Sequence, residues 1–141
     1  PRVIGVKNSS MPVQDIQMWK DEGAIVFNGP DEQFVSGLAA GAIGGIGGTY
    51  AAMPELYLKA RELFYAGALE QARQVQNDCC RIIYKMCSAH GNLYAVIKEI
   101  LRRSGGPDIG SVRAPLAPLA EGDGPIVDEC VAMIRAAVAK Y

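Results

Sequence analysis

Short apolar runs alternate with amphipathic stretches in the first third of the chain. The runs are Val3–Val6, Ala24–Phe27 and Ala42–Ile46, and none of them alternates between apolar and polar positions. Strands of this kind are typical of a parallel sheet that is buried on both faces. Helices are predicted between them, from Pro12 to Lys20 and from Asp31 to about Leu38. The first third therefore predicts a β-α-β-α-β order.

Helical periodicity dominates the rest of the chain. Helices are predicted over Glu55–Tyr65, Leu69–Ser88, Leu93–Arg103 and Pro125–Tyr141, with glycines at the breaks. The second of these helices has one apolar stripe, which predicts a core or subunit-packing face. Its members are Ala72, Val75, Cys79, Ile82, Ile83 and Met86.

The three predicted strands are too few to form a closed barrel. Units of about twenty residues favour a (β/α) barrel, with a doubly wound sheet as the alternative. A (β/α)8 barrel needs eight strands and roughly 250 residues, whereas the chain has 141 residues. Three parallel strands leave two open edges. Because Pro1 stands almost directly on a strand, we expect the back end of a larger barrel and not a small unusual α/β domain.

Composition narrows the class of protein. Half of the residues are hydrophobic, 21% are charged, and the net charge is -1. Lys and Arg are spread along the chain, so we expect no binding to nucleic acid or to a charged membrane surface. The four cysteines, Cys79, Cys80, Cys87 and Cys130, form no CxxC pair. We expect reduced thiols, which favours the cytoplasm.

The uncharged stretch between Glu32 and Glu55 is long enough to span a bilayer. However, it is dense in glycine and ends at Pro54, which would weaken one continuous helix. A short helix, a tight turn and a buried strand fit the composition better. We therefore predict no transmembrane segment here.

The stretch VIGVKNSS places Lys7 at the end of a predicted strand. Parallel α/β folds build their sites at the carboxyl ends of their strands. Burial disfavours the charged form of a lysine and leaves an amine that attacks a carbonyl. The alternative is a structural lysine whose side chain reaches water.

The stretch NGPDE follows the next strand and falls at the same rim. Its Asp31 and Glu32 offer acceptors for sugar hydroxyls, while the alternative is that Asp31 caps the next helix. Gly41–Gly48 resembles a phosphate loop but lacks the GxGxxG spacing, so its glycines favour a close approach of the backbone to a ligand or strand. His90 is the only histidine, and we expect neither a Ser-His-Asp set nor a metal cluster.

Taken together, VIGVKNSS and FNGPDEQFVSGLAAGAIGGIGGTY resemble the pyruvate-dependent class I aldolases of the N-acetylneuraminate lyase and dihydrodipicolinate synthase family. The likeness runs from Val3 to PLAPL at Pro115–Leu119 and covers nearly the whole chain. It implies that residues 1–52 are the last three βα units of a (β/α)8 TIM barrel. Residues 53–141 would then be the closing barrel helix and a C-terminal helical extension. It further implies a homo-oligomer, a tetramer, and no cofactor.

The resemblance also implies roles for individual residues. Lys7 matches the lysine that forms a Schiff base with the C2 carbonyl of pyruvate or of a 2-oxo acid, and the imine then serves as an electron sink. The matching substrate-binding positions are Ser9, Gly29, Asp31, Glu32, Ile46 and Gly48. The acidic pair favours a lyase that cleaves N-acetylneuraminate, or a related sugar 2-oxo acid, to pyruvate and an aldehyde sugar. The alternative is a dihydrodipicolinate synthase or another 2-oxo-3-deoxy acid aldolase.

Two departures from the family pattern affect these roles. The lyases commonly read GIGSTYN where this chain reads GIGGTYA, so Gly48 replaces a substrate-binding serine. The family's proton-relay tyrosine and its carboxylate-binding segment lie upstream of the lysine strand, in the N-terminal half of the barrel. A third hypothesis is therefore an inactive half-barrel that associates with itself or with the missing N-terminal half.

Overall fold

The structure is a computed structural model, and it describes residues 2–141. The described residues form three short strands and six α-helices in the predicted order. These are β1 (Gly5–Asn8), α1 (Gln14–Asp21), β2 (Ile25–Asn28), α2 (Phe34–Ala39), β3 (Gly44–Gly45), α3 (Pro54–Tyr65), α4 (Leu69–Met86), α5 (Leu93–Arg103) and α6 (Asp123–Lys140). Single 3-10 turns at Asp31–Gln33 and Thr49–Ala51 precede α2 and α3.

The three strands form one parallel sheet in the order β1-β2-β3, which confirms the predicted β-α-β-α-β arrangement. Lys7 on β1 lies opposite Phe27 on β2, and Asn28 at the end of β2 lies opposite Gly45 on β3. Side chains alternate across a strand. The side chain of Lys7 therefore projects to the face opposite that of its neighbour Asn8, which is buried.

The strand boundaries differ from those predicted. β1 begins at Gly5, two residues after Val3, and β2 is displaced by one residue from the run that begins at Ala24. β3 contains only Gly44 and Gly45 of the five-residue run predicted there. An apolar run reports a tendency to be buried, whereas a strand forms only where a neighbouring strand offers hydrogen bonds.

Only one face of the sheet is covered. On that face Ile16 of α1 packs with Val26 and Ala42 in a small buried cluster. The other face is an open groove of about 540 Å³, where Ile25 is 42% exposed and Ile43 is 48% exposed. The expectation of a sheet buried on both faces is therefore wrong for this chain, since the helices that these residues form lie on one side only.

The larger core lies among the helices. The predicted apolar stripe of α4 is confirmed, because all of its members are buried. They pack against α3, α5 and α6 through side chains that are at most 1% exposed, such as Leu56, Ile100 and Val127. Gly67 allows the sharp turn from α3 to α4, since its φ is +77° and this conformation favours glycine.

One fully buried carboxylate joins the loops at the end of the helical core. Asp123 begins α6, two residues before the predicted start at Pro125. Its side chain accepts hydrogen bonds from the backbone N–H groups of His90, Gly91 and Ala120 at 2.9, 2.9 and 2.8 Å. These donors, that of His90 first, hold the pKa of Asp123 well below its usual range.

The four cysteines are free thiols. Cys79 and Cys130 are buried in the helical core, while Cys87 is exposed just after α4. Among residues 2–141, every helix is too short or too polar to cross a membrane.

Candidate functional site

The carboxyl ends of the three strands meet at one edge of the sheet. Parallel pairing brings Lys7 of β1, the loop after β2 and the loop after β3 to this edge. We call the loop of residues 29–32 the acidic loop and the loop of residues 46–48 the glycine loop. The predicted site residues thus lie on three neighbouring segments.

Lys7 is the penultimate residue of β1, and its side chain is exposed on the open face of the sheet. It lines the groove together with Phe27 and the apolar residues Ile25 and Ile43. The expected burial of this lysine is wrong for this chain, because no described element covers that face. The amine nevertheless projects into an apolar groove at the edge where α/β folds place their chemistry.

Ser9 and Gly29 lie against each other. A Cβ atom on Gly29 would lie 2.7 Å from the Cα atom of Ser9 and 2.8 Å from its Oγ, and it would overlap the carbonyl oxygen of Asn8. Contacts this short to backbone do not relax easily, so only glycine fits at position 29. The loops after β1 and β2 are therefore in direct contact.

Asp31 is buried, with only 8% of its surface exposed. Its Oδ2 atom accepts two hydrogen bonds from Thr49, one from the backbone N–H at 2.9 Å and one from the hydroxyl at 2.6 Å. The 3-10 turn and α2 that follow have no side-chain cap, so the alternative in which Asp31 caps the next helix is wrong. Its carboxylate instead ties the acidic loop to the start of the next turn.

The hydrogen bonds extend from Thr49 into the helical core. Thr49 Oγ1 lies 2.7 Å from the hydroxyl of Tyr57 on α3. The Tyr57 ring is 3% exposed and packs edge-on against Phe34, with ring centroids 5.6 Å apart. Burial raises the pKa of Tyr57 well above its usual range. Thr49 and Tyr57 were not predicted as site residues, since neither has a local signal beyond lying next to the glycine-rich stretch.

Glu32 differs from its acidic neighbour. Its side chain is half-buried, and its carbonyl oxygen accepts a weak hydrogen bond from the Cys80 thiol at 3.5 Å. The backbone of Glu32 is thereby held against α4, while its carboxylate makes no hydrogen bond to residues 2–141. The two acidic neighbours therefore differ in their contacts, since only the carboxylate of Asp31 is hydrogen-bonded within residues 2–141.

The glycine loop fits tightly between its neighbours. A Cβ atom on Gly47 would overlap Asp31 Oδ1, and one on Gly48 would lie 2.8 Å from Cε1 of Tyr94 on α5. The space that a serine side chain would take at position 48 is therefore occupied by Tyr94. Ile46 is 48% exposed, and its N–H donates to the carbonyl oxygen of Asn28 at 2.9 Å.

Four buried polar atoms near the strand ends have no hydrogen-bond partner within residues 2–141. They are Asn8 Nδ2, Asn28 Oδ1, Asp31 Oδ1 and Tyr50 Oη. Buried polar groups are nearly always paired with protein or water. All four belong to residues at or just after the ends of the strands and the turn that follows β3.

These features define a class of protein. A lysine lies at the carboxyl end of one parallel strand, an acidic loop follows the next strand and a glycine loop follows the third. The chain belongs to the dihydrodipicolinate synthetase family, whose sequence profile matches residues 1–134.

Individual relatives point to one branch of that family. The chain is 59% identical to an N-acetylneuraminate lyase of Mediterraneibacter gnavus over 144 aligned residues, which cover 100% of this chain and 46% of the relative. It superposes on the wild-type sialic acid aldolase of Ruminococcus gnavus with a TM-score of 0.96 and 59% identity, covering 100% of this chain and 48% of that one. A catalytic lysine mutant of the same aldolase matches with a TM-score of 0.96 and 58% identity, over 100% of this chain and 47% of that one.

The chain thus spans about half the length of the relatives it matches, and the half it covers is the C-terminal one. Its structural neighbours are TIM-barrel aldolases. This confirms the predicted fold class and the family resemblance, and it accounts for the uncovered face of the sheet, which lies inside the barrel when all eight strands are present.

Proposed function

We propose that this chain is the C-terminal half of a sialic acid lyase. The complete enzyme would be a class I aldolase that cleaves N-acetylneuraminate, or a related sugar 2-oxo acid, to pyruvate and an aldehyde sugar. The observation that supports this most is the position of Lys7. It lines the groove on the open face of the sheet, one residue before the end of β1, in a chain that is 59% identical throughout to a protein of that activity.

The proposed chemistry begins at Lys7 Nζ. The amine attacks the C2 carbonyl of the 2-oxo acid, and loss of water gives an imine. The C4 hydroxyl gives up its proton, which the proton-relay tyrosine of the N-terminal half would take, and the protonated imine accepts the electron pair of the C3–C4 bond as that bond breaks. The aldehyde sugar then leaves. Protonation of the resulting enamine at C3 and attack of water on the imine carbon release pyruvate and restore the amine.

We further propose that the acidic loop and the glycine loop form the sugar side of the site. Asp31 and Glu32 would serve the hydroxyls of the sugar, with Ser9, Gly29, Ile46 and Gly48 at the wall around them. The close contact of Ser9 with Gly29 and of Gly47 with Asp31 supports a shared edge. The lysine and the acidic residues would then grip opposite ends of one substrate.

The partner implied by this proposal is the N-terminal half of the barrel. Residues 1–52 would supply three βα units, and residues 53–141 the closing helix and the helical extension. The open groove of about 540 Å³ beside β1, lined by apolar residues, supports a covered state of that face. By resemblance, the absent half would bring the proton-relay tyrosine and the segment that binds the substrate carboxylate.

The free thiols support a reducing compartment, and we propose a cytoplasmic enzyme. We propose a homotetramer on the resemblance to the family. Light scattering of the completed barrel would overturn this assembly if it gave the mass of a monomer.

The mechanism is tested by trapping the imine. The chain is produced together with the N-terminal half of the Mediterraneibacter gnavus relative, incubated with pyruvate and reduced with borohydride. Peptide mass spectrometry should find the reduced adduct on Lys7. Lys7→Met should lose it, whereas Lys59→Met, a change on the helical surface, should keep it. An unmodified Lys7 in the folded, completed barrel would overturn the mechanism.

A substrate panel tests the branch of the family. The completed barrel should release pyruvate from N-acetylneuraminate, and the chain without the N-terminal half should have negligible turnover. Condensation with aspartate semialdehyde, together with inactivity toward N-acetylneuraminate, would favour the synthase instead. Turnover by the chain without that half would show that the half-barrel suffices.

A further inference from the structure

The two oxygens of the Asp31 carboxylate differ in their hydrogen bonds. Oδ2 receives two hydrogen bonds from Thr49, while Oδ1 receives none from residues 2–141 and lies beneath Gly47. A buried charge is costly unless it is well hydrogen-bonded, so the two Thr49 donors are a main source of compensation. A ligand hydroxyl reaches Oδ1 only if the glycine loop moves aside.

We propose that Thr49 and Tyr57 are positioning residues for the sugar side of the site. Their hydroxyls lock Asp31 and thereby fix the glycine loop against the acidic loop. The inference rests on the proposed function, because it assigns a role in binding the sugar. It also changes the part played by Asp31, which would act mainly as the tie between the two loops and leave Glu32 to meet the substrate.

The direction of the hydrogen bonds follows from the groups involved. The Thr49 hydroxyl donates its single proton to Asp31 Oδ2 at 2.6 Å. The Thr49 oxygen is then the acceptor for Tyr57, whose O–H donates at 2.7 Å. Because burial raises the pKa of Tyr57 above its usual range, the donor stays protonated at neutral pH. The two hydrogen bonds therefore run in one direction, from Tyr57 to Thr49 and from Thr49 to Asp31.

Packing holds both ends of this chain. Thr49 is 2% exposed and Tyr57 is 3% exposed, so water does not compete for the hydroxyls. The Tyr57 ring is fixed between Phe34, at the start of α2, and Tyr50, with ring centroids at 5.6 and 4.1 Å. The hydroxyl of Tyr57 is thus the group through which α3 holds Thr49.

The backbone of the glycine loop completes the geometry. The Thr49 N–H also donates to Asp31, so the loop's last peptide is held as well as its side chain. Since Gly47 has no Cβ, the loop lies directly on the carboxylate. Loss of the Thr49 hydroxyl would leave one of the two bonds and loosen the loop without emptying the core.

The test compares variants of the completed barrel. Thr49→Val keeps the shape and the N–H but removes the hydroxyl. It should raise KM for N-acetylneuraminate about 10-fold, as for a lost hydrogen bond to a charged group, with kcat within about 2-fold. Thr49→Ser should restore KM to within about 3-fold, because the hydroxyl returns. Tyr57→Phe should raise KM about 3-fold. Tyr65→Phe, which removes an exposed hydroxyl at the far end of the same helix, is the matched aromatic control and should leave KM unchanged.

A purely structural role would give a different result. Thr49→Val and Tyr57→Phe would then lower Tm while KM stayed within about 2-fold, and that outcome overturns the inference. Pyruvate has no sugar hydroxyls, so borohydride trapping with pyruvate should proceed equally in all variants. If Thr49→Val lost pyruvate trapping to the same extent as it lost affinity for N-acetylneuraminate, the inference would also be overturned.

Failure of the proposed function remains distinguishable. If the unaltered barrel forms no imine with pyruvate, the aldolase proposal fails, and the tie is then judged by amide hydrogen exchange. The Thr49 amide should be protected in the unaltered protein and in Thr49→Ser, and exchange faster in Asp31→Ala. An unprotected Thr49 amide in the unaltered protein would overturn the tie itself.

Discussion

The helical part and the strand part of this chain differ in how far they bury their own apolar surface. In residues 53–141, side chains such as Ile82, Met86 and Ile100 are at most 1% exposed. In residues 2–52, Ile25 and Ile43 are 42% and 48% exposed on the open face. The helices therefore bury their core within the chain, whereas the sheet is covered on one face and open on the other.

The site lies where these two parts meet. Lys7 stands on the incomplete side, and Asp31 is tied through Thr49 to Tyr57 on the complete side. The half-barrel therefore holds the acidic loop and the glycine loop in place without enclosing the lysine. Positioning and enclosure are thus separable properties of this fold.

The largest effect is expected when an isoleucine is changed to alanine in the helical part, compared with the same change in the strand part. Ile82→Ala should lower the free energy of unfolding by about 2–5 kcal/mol, because it leaves a cavity among buried side chains. Ile25→Ala, on the open face, should cost less than about 1 kcal/mol in the same chain. Urea denaturation measures both. In the completed barrel the cost at Ile25 should rise, and equal costs at the two sites in the chain by itself would contradict the comparison.

An intermediate effect is expected at Asp123, which joins the loops of the helical part. Its folded-state pKa is lowered, so its contribution to stability is present above the unfolded value of about 4 and is lost as pH falls through the folded value. Asp123→Asn should therefore be markedly less stable than the unaltered chain at pH 6, and the difference should shrink below about pH 4. Thermal unfolding across pH measures it.

The matched control for that prediction is Asp128→Asn, on the exposed side of α6. Asp128 pairs with Arg103 near the surface, and exposed pairs contribute little. The same pH-dependent difference in both variants would mean that surface charge, and not the buried carboxylate, is responsible.

The smallest effect is expected in thiol labelling. Burial raises the pKa of Cys79 to about 12 and that of Cys130 to about 11. At pH 8 the thiolate fraction of Cys79 is then about one in ten thousand. Cys87 is exposed and should be labelled first by an alkylating reagent, and Cys87→Ser should abolish the fast phase. Fast labelling of Cys79 in the folded chain would show that the helical core opens readily.

Helices were predicted better than strands, for a physical reason. The predicted bounds of α5 agree with the structure, and the stripe of α4 is buried as expected, because helical periodicity reports directly which side faces a core. The strands depend on partners elsewhere in the chain. β1 therefore begins two residues late and β3 is reduced to two glycines.

The site was predicted only in part. Lys7 at a strand end, and NGPDE at the same rim of the sheet, follow from the order of strands and loops. The bond from Thr49 to Asp31 joins residues 18 positions apart, and Tyr94 reaches the glycine loop from α5. No local pattern marks such contacts, since they exist only after the helices have packed.

The contact between Gly48 and Tyr94 has a consequence for how this chain could be altered. A serine at position 48 needs the volume that the Tyr94 ring occupies. A substitution at position 48 therefore depends on which residue stands at position 94. Substituting Gly48 singly by serine would displace the tyrosine ring from its contact with the glycine loop. Positions 48 and 94 are therefore best varied together in a joint library, since a helix of the C-terminal part contacts the loop that follows β3.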